Sequence, residues 1–389
     1  MRRFHALTVA ATAFAAISAP AAFAQDKGNL NIYCSMQIEW CTLAANEFSK
    51  QTGIKVNTSF KGSGETFAQD KGNLNIYCSM QIEWCTLAAN EFSKQTGIKV
   101  NTSFKGSGET FAQVKAEATN PKGDVWFGGT GDPHLQAAEE GLSEVYQSPM
   151  MKDLHPWATY QAQIANYKTV GIYAGALGFG FNTEVLAKKK IDTPKCWADL
   201  IKPEFKGDVQ MANPAASGTA YTALATLVQV MGEDKAFDYL RALHKNISNY
   251  PKSGTGPVKA AARGETAVSV SFMHDVPGEV KNGFPVGMAA PCEGTGYEVG
   301  SMSIMKGARN LDNAKKFYDW ALTPDAQKLA ARALQYQLPS NKNSPQPPEA
   351  PRFASIKFIQ YDFKKYGSSA ERKRLLEKWE KEVNSLPRG

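Results

Sequence analysis

Beyond its first two dozen residues, this 389-residue chain has no stretch approaching the ~18 uninterrupted apolar residues of a membrane span. It has no Lys/Arg block dense enough for a nucleic-acid surface, and a formal charge of +7 is only mildly basic. No glycine turn is followed by Lys and then Ser or Thr, which removes the nucleotide P-loop. Ser and Cys nucleophile motifs are missing, and the cysteines lack the close pairs of zinc sites. These absences argue against an enzyme, a metal, a cofactor and a nucleic-acid partner. What is present is a globular composition, 43% hydrophobic and 21% charged, long enough for two domains.

The amino terminus reads as an address. Met1-Arg2-Arg3 is a positive start, Ala6 to Ala16 is an Ala-rich apolar run, and Pro20 breaks it. Ala22-Phe23-Ala24 offers small residues where a signal peptidase reads, so residues 1–24 are expected to be a cleaved signal peptide. A retained anchor is the competing reading, but Ala is weakly apolar and no charged stop follows a full span. Losing Arg2 and Arg3 lowers the charge from +7 to +5.

Residues 23–69 recur letter for letter as 67–113, an offset of 44. Structural repeats normally drift and stack in several copies, so this is a recent or accidental duplication rather than a solenoid. Each copy reads as strand, helix, strand; in the second, these are Leu74 to Tyr77, Glu83 to Gln95 and Ile98 to Phe104. A sheet has one slot for each strand. The second copy continues directly into Phe111-Ala112-Gln113-Val114 and is expected to fill the slots. Residues 25–69 then form an appendage.

Of the six cysteines, Cys34 and Cys41 duplicate Cys78 and Cys85. The underlying even number in an exported chain predicts two disulfides, Cys78–Cys85 across a local turn and Cys196–Cys292 between the remaining pair.

From Leu74 onward, strands alternate with helices, the pattern of a mostly parallel sheet covered by helices. Gly123 to Gly129, Ala176 to Thr183, Phe205 to Ala212 and Ala267 to Phe272 read as extended; Ala220 to Met231, Leu311 to Ala321 and Ser369 to Val383 read as helical. Four turns put Ser, Thr or Gly just before a helix. They hold Ser79, Ser107 with Gly108, Thr130 with Gly131, and Ser217 with Gly218 and Thr219. Ser35, Ser63 and Gly64 are their equivalents in the first copy. Helix starts leave N–H groups unpaired and partly positive, so such turns can hold an anion, although Ser and Thr also serve as plain caps. Ligands of open α/β sheets gather at the carboxyl ends of strands, where these turns lie. His274 and Asp275 follow a strand, and Glu298 ends the glycine-rich run from Glu293. Adjacent residues on an extended stretch point apart, which argues against a His274–Asp275 acid–base pair. Together the three offer donors and acceptors suited to sugar hydroxyls; a core histidine is the plainer reading of His274.

At this point the chain resembles periplasmic solute-binding proteins of ABC importers, in the branch handling iron, phosphonates, thiamine and sugar phosphates. The resemblance rests on Gly180-Phe181-Asn182-Thr183, Pro194 to Leu200, Pro203-Glu204-Phe205-Lys206-Gly207 and Asn213 to Tyr221. It implies an α/β, two-lobed, type II-like fold, each lobe a mostly parallel sheet flanked by helices, joined by crossover strands. Residues 70–181 would begin lobe I, 182–299 form lobe II, and 300–389 return to lobe I and the C-terminal helices. Ferric-ion binders of this branch carry a late Tyr-Tyr pair, whereas this chain reads Gln335-Tyr336-Gln337. The Ser79 turn, His274, Asp275 and Glu298 are most similar to the hexose-phosphate-binding subgroup. The resemblance implies a periplasmic monomer that delivers a small phosphorylated ligand to an inner-membrane ABC permease. Alternatives are a 2-aminoalkyl-phosphonate or ferric-ion binder, or a secreted phosphate-ester enzyme.

Overall fold

A computed structural model describes residues 29–34, 37–60 and 72–388. The expected signal peptide lies outside them, as do Ser35, Ser63 and Gly64. The chain divides into two compact units, Met1–Gln69 and Asp70–Gly389.

The first unit holds strand β1 (Asn29–Cys34), helix α1 (Ile38–Thr52) and strand β2 (Lys55–Phe60), with the strands parallel and Cys34 joined to Cys41. The second copy builds the same elements: β3 (Asn73–Cys78), α2 (Ile82–Thr96) and β4 (Lys99–Phe104). Their surroundings differ. Trp84 and Phe92 of α2 are 4% and 1% exposed, whereas the identical Trp40 and Phe48 of α1 are 69% and 41% exposed. Local sequence writes the elements twice, but helical stability comes mostly from packing an apolar face, and among the described residues it is the second copy that packs into a large core.

In the second unit, β5 (Val125–Phe127), β6 (Val170–Asn182), β7 (Val209–Met211), β8 (Val268–Phe272) and β10 (Tyr297–Ile304) join β3 and β4 in the order β4-β3-β5-β10-β6-β8-β7. Strands β9 (Val286–Ala289) and β11 (Leu338–Pro339) also pair with β6. The pairs β3–β4, β3–β5 and β7–β8 are parallel, as strand–helix alternation predicts. Every antiparallel pair contains β6 or β10. The sheet is therefore mixed, with parallel pairing inside the lobes and antiparallel pairing along the two strands that run between them.

Those two strands thread two cores. Ile172 and Tyr173 of β6 pack with Leu74, Phe92, Phe127 and, from helix α6 (Leu311–Ala321), Phe317. Leu177 and Phe179 of the same strand pack with Trp197, Phe205 and Leu224. Strand β10 likewise gives Met302 and Ile304 to the first core and Val299 to the second. Two cores sharing two strands make two lobes. The carboxy-terminal helix α7 (Ser369–Trp379) adds Leu375 and Trp379 to the second core and ties Arg374 to Glu233 at 2.7 and 2.8 Å. Its first residue, Ser369, reaches back to Glu139 at 2.8 Å.

Disulfides join Cys78 to Cys85 beside the β3–α2 turn and Cys196 to Cys292, 96 residues apart. Among the described residues, Cys196, Cys292 and Glu293 are the cluster of metal-ligating type. Its sulfurs are bonded to each other, and Glu293 accepts from the N–H groups of Trp197 and Ala198 at 2.8 and 3.0 Å. That arrangement caps a turn.

Candidate functional site

The second unit encloses a cleft of about 390 Å³. Four helices begin at it: α2, α3 (Ser107–Ala116), α4 (Gly131–Glu139) and α5 (Gly218–Met231). Ser79, Ser107, Thr130, Ser217, Gly218 and Thr219 all line it. Sequence-distant turns thus bring four sets of first-turn N–H groups to one space, where an anion is favoured. Several hydroxyls already have duties. Ser107 Oγ accepts from Thr130 N–H at 3.2 Å, Ser217 Oγ accepts from Ala220 N–H at 3.4 Å, and Ser79 Oγ accepts from the Trp126 indole at 2.9 Å. Thr130 Oγ1 is buried without a protein partner.

Two of the expected anion-site residues stand elsewhere. Gly131 packs against the β10 side of the sheet; a Cβ there would lie 2.6 Å from Val299 O and 2.3 Å from Gln161 Nε2. Gly108 meets Ala215 O rather than the cleft wall. At both places glycine serves close packing of backbone, not approach of a ligand.

The cleft's second set of groups is His274, Asp275 and Glu298. His274 and Asp275 lie in a single 3₁₀ turn after β8, not on an extended stretch, so their side chains converge. His274 Nε2 is 3.6 Å from Asp275 Oδ1 and 3.7 Å from Glu298 Oε1. Glu298 is not in a glycine loop: it sits on β10, paired in register with Gly175 of β6. Gly175 makes the cluster possible, because a Cβ there would fall 2.2 Å from His274 Nδ1. The His274 ring stacks on Phe272, with centroids 5.4 Å apart.

Burial sets the charges here. It lowers His274 to about 3 and pushes Asp275 up to about 7, against the opposing hydrogen bond from Gln81 and the charge of Lys259. Glu298 is held well above the usual carboxylate range by burial, then by the negative charges of Asp275 and Asp132. The imidazole is neutral near pH 7, so its approaches to the two carboxyl groups, longer than hydrogen bonds, are dipolar rather than ion pairs. A neutral imidazole beside carboxyl groups that give or accept a proton offers both donors and acceptors, which is what hydroxyls require.

Sequence reasoning missed Gln81, Gln337, Tyr173, Lys105, Lys252 and Lys259, all of which line the cleft. Gln81 donates to Asp275 at 2.6 Å, and Gln337 donates to Gln81 at 3.3 Å. Lys105 and Gln81 border turns already singled out, so adjacency was an available signal. Nothing local marks Lys252 or Lys259.

Residues 88–355 match the family described as bacterial extracellular solute-binding protein. The chain belongs to that family. It is 48% identical to an uncharacterized protein of Haemophilus influenzae over 379 residues, 97% of each chain. The periplasmic binding protein AfuA of Actinobacillus pleuropneumoniae, solved with exogenous fructose 6-phosphate bound, is 48% identical. The match covers 81% of this chain and 100% of that one, with a TM-score of 0.79. The periplasmic binding protein P5PA is 41% identical over 80% of this chain and 100% of its own, with a TM-score of 0.78. Iron-bound HitA of Pseudomonas aeruginosa, 20% identical over 78% of this chain and 98% of its own, shares the fold at a TM-score of 0.67. As a member of this family the chain is a two-lobed solute-binding component of an ABC importer, and the solved relatives AfuA and P5PA are periplasmic binding proteins.

Proposed function

We propose that the cleft captures a hexose phosphate, with glucose 6-phosphate as its representative, in the periplasm. The loaded monomer then docks on an inner-membrane ABC permease. The observation that carries this reading is the coexistence, in one cleft, of four helix starts with the buried set His274, Asp275 and Glu298 and the half-buried Gln81. The first set suits a phosphate dianion, with Ser79, Ser107, Thr130, Ser217, Gly218 and Thr219 nearest to it. The second suits ring hydroxyls. Similarity to AfuA, solved with fructose 6-phosphate, supports the same class.

A ferric ion fits less well. Tyr173 is the one tyrosine on the described cleft wall, and its hydroxyl already accepts from Gly129 N–H at 3.0 Å. An aminoalkyl phosphonate would need ionised acids for its amine, yet burial favours the neutral forms of Asp275 and Glu298. The test is calorimetry with glucose 6-phosphate, fructose 6-phosphate, glucose, inorganic phosphate, 2-aminoethylphosphonate and ferric citrate. Strong heat is expected from the hexose phosphates and far less from glucose or phosphate alone. Tight phosphonate binding with no heat from either hexose phosphate would refute the sugar assignment, and turnover of an ester would revive an enzyme.

A further inference from the structure

Arg372 lies on α7 and is only 5% exposed. It sits one layer behind the cleft rather than on its wall. Its guanidinium covers the Tyr221 ring at 4.4 Å, and Nη2 faces the carbonyl oxygens of Pro214 and Ala215 at 3.4 Å. Nη1 is buried without a protein partner. Asp132 is the carboxylate whose charge reaches it, and Asp132 Oδ1 is also unpartnered. Taking a cation out of water is costly unless nearby negative charge and hydrogen bonds offset it, and here both are incomplete.

The surroundings indicate what completes them. Gly108, in the first turn of α3, donates its N–H to Ala216 O at 3.1 Å. A Cβ on Gly108 would stand 2.3 Å from Ala215 O and 3.0 Å from Arg372 Nη2. Arg372 therefore holds, by its carbonyls, the turn that leads into Ser217 and α5, and it touches the first turn of α3. Two helix starts on the cleft share one buried cation behind them. A positive charge there adds to the partial charges of both helix ends.

We propose that Arg372 is a positioning residue for the ligand's phosphate. It fixes the starts of α3 and α5 against each other, and the dianion in turn offsets the buried guanidinium. The inference rests on the hexose-phosphate reading of the cleft. Asp132 opposes the same anion from the same layer.

Calorimetry at pH 8 with glucose 6-phosphate, a dianion there, and glucose 6-sulfate, a monoanion of similar shape, separates charge from packing. Arg372→Met should weaken the phosphate by roughly tenfold or more and the sulfate clearly less, whereas Arg372→Lys should keep most of the phosphate-over-sulfate preference. Asp132→Asn is nearly isosteric and carries the test should Arg372→Met fail to fold. It should raise the phosphate-over-sulfate preference by about threefold or more, a gain that lost packing cannot produce. Equal weakening of both esters by Arg372→Met, or an unchanged preference in Asp132→Asn, overturns the proposal. If the wild-type chain binds neither ester, the ligand assignment fails instead. Arg372 is then judged with 2-aminoethylphosphonate and inorganic phosphate, and equal binding of these by wild type and Asp132→Asn refutes its role too.

Discussion

Gln81 Nε2 lies 2.6 Å from Asp275 Oδ1, a hydrogen bond between the turn before α2 and the turn after β8, 194 residues apart in sequence. Gln81 in turn accepts from Gln337 near β11. Three distant segments therefore converge on a carboxyl group that burial pushes up to about 7. A ligand hydroxyl entering here must share or replace these bonds, and unmatched buried groups cost about 1–3 kcal/mol each.

Asp275→Ala and Glu298→Ala are accordingly expected to weaken hexose-phosphate binding by about tenfold or more, at about 1.4 kcal/mol per decade. Inorganic phosphate, which has no ring hydroxyls, should be little affected. Ser217→Ala should cost less than either, because its Oγ caps Ala220 and the cleft's backbone N–H groups remain. Titration calorimetry on the three variants checks the order. A larger loss from Ser217→Ala would mean that hydroxyls, not backbone, hold the anion.

The buried acids also predict how stability depends on pH. An unfolded Asp or Glu ionises near pH 4, whereas folded Asp275 titrates at about 7 and burial holds Glu298 well above the usual carboxylate range. Above about pH 4 the folded chain therefore holds more protons than the unfolded one, so stability falls as pH rises through about 7. Asp132, raised to about 6 by burial, contributes with the same sign at lower pH. His274 has the opposite sign, since its folded value of about 3 lies below an unfolded value near 6.5, but it is neutral in both states above that. Scanning calorimetry of the free protein should show Tm falling between about pH 6.5 and 7.5, and across about pH 5 to 7.5 the trend should be less negative in Glu298→Gln. Parallel curves would show that Glu298 is ionised in the folded state.

Much of this was legible in the sequence. The β3-α2-β4 unit announces itself by alternation and helical spacing, and the Ser and Thr turns by their place before helices. The crossover strands were harder. β10 carries Gly300 and follows Gly294 and Gly296, so a central buried strand reads as a loop; Gly300 is there because Tyr173 crowds against it, and Gly296 because Thr226 and Tyr361 do. His274, Asp275 and Glu298 were grouped by their chemistry, but the close approach of His274 to Glu298 was hidden for a related reason. It depends on one tight turn after β8 and on the missing side chain of Gly175, and no local pattern encodes either. Gly108 and Gly131 misled in the opposite direction. A glycine before or within a helix start looks the same in sequence whether it admits a ligand or a neighbouring carbonyl.

Cys196 and Cys292 join the segment leading into Trp197 to the loop before β10, closing a separation of 96 residues. By loop-closure entropy a bridge of that span contributes about 4–5 kcal/mol, against roughly 2–3 for a span as short as Cys78–Cys85. Paired Cys196→Ser and Cys292→Ser changes should therefore lower stability more than the Cys78→Ser and Cys85→Ser pair. Denaturant titration of the two double variants decides this, and the reverse order would show that strain or residual structure, rather than closure, governs these bridges.

Deleting residues 26–69 should leave ligand binding intact and improve solution behaviour. The first copy forms a compact unit of its own, and its two strands pair only with each other among the described strands. It leaves Ile38, Trp40, Leu43 and Phe48 exposed, whereas Trp84 and Phe92, the counterparts of Trp40 and Phe48, are buried. Exposed apolar faces of that kind favour association, and among the described strands β1 and β2 each leave one edge unpaired. Light scattering should therefore show the full chain associating at concentrations where the deletion variant is monodisperse. Trp40→Lys in the full chain should recover part of the difference without altering affinity for glucose 6-phosphate. The identical Trp84→Lys change would place an ammonium in the first core and should abolish folding of that lobe. If the deletion variant lost binding that the full chain retained, the first copy rather than the second would be the one that builds the cleft.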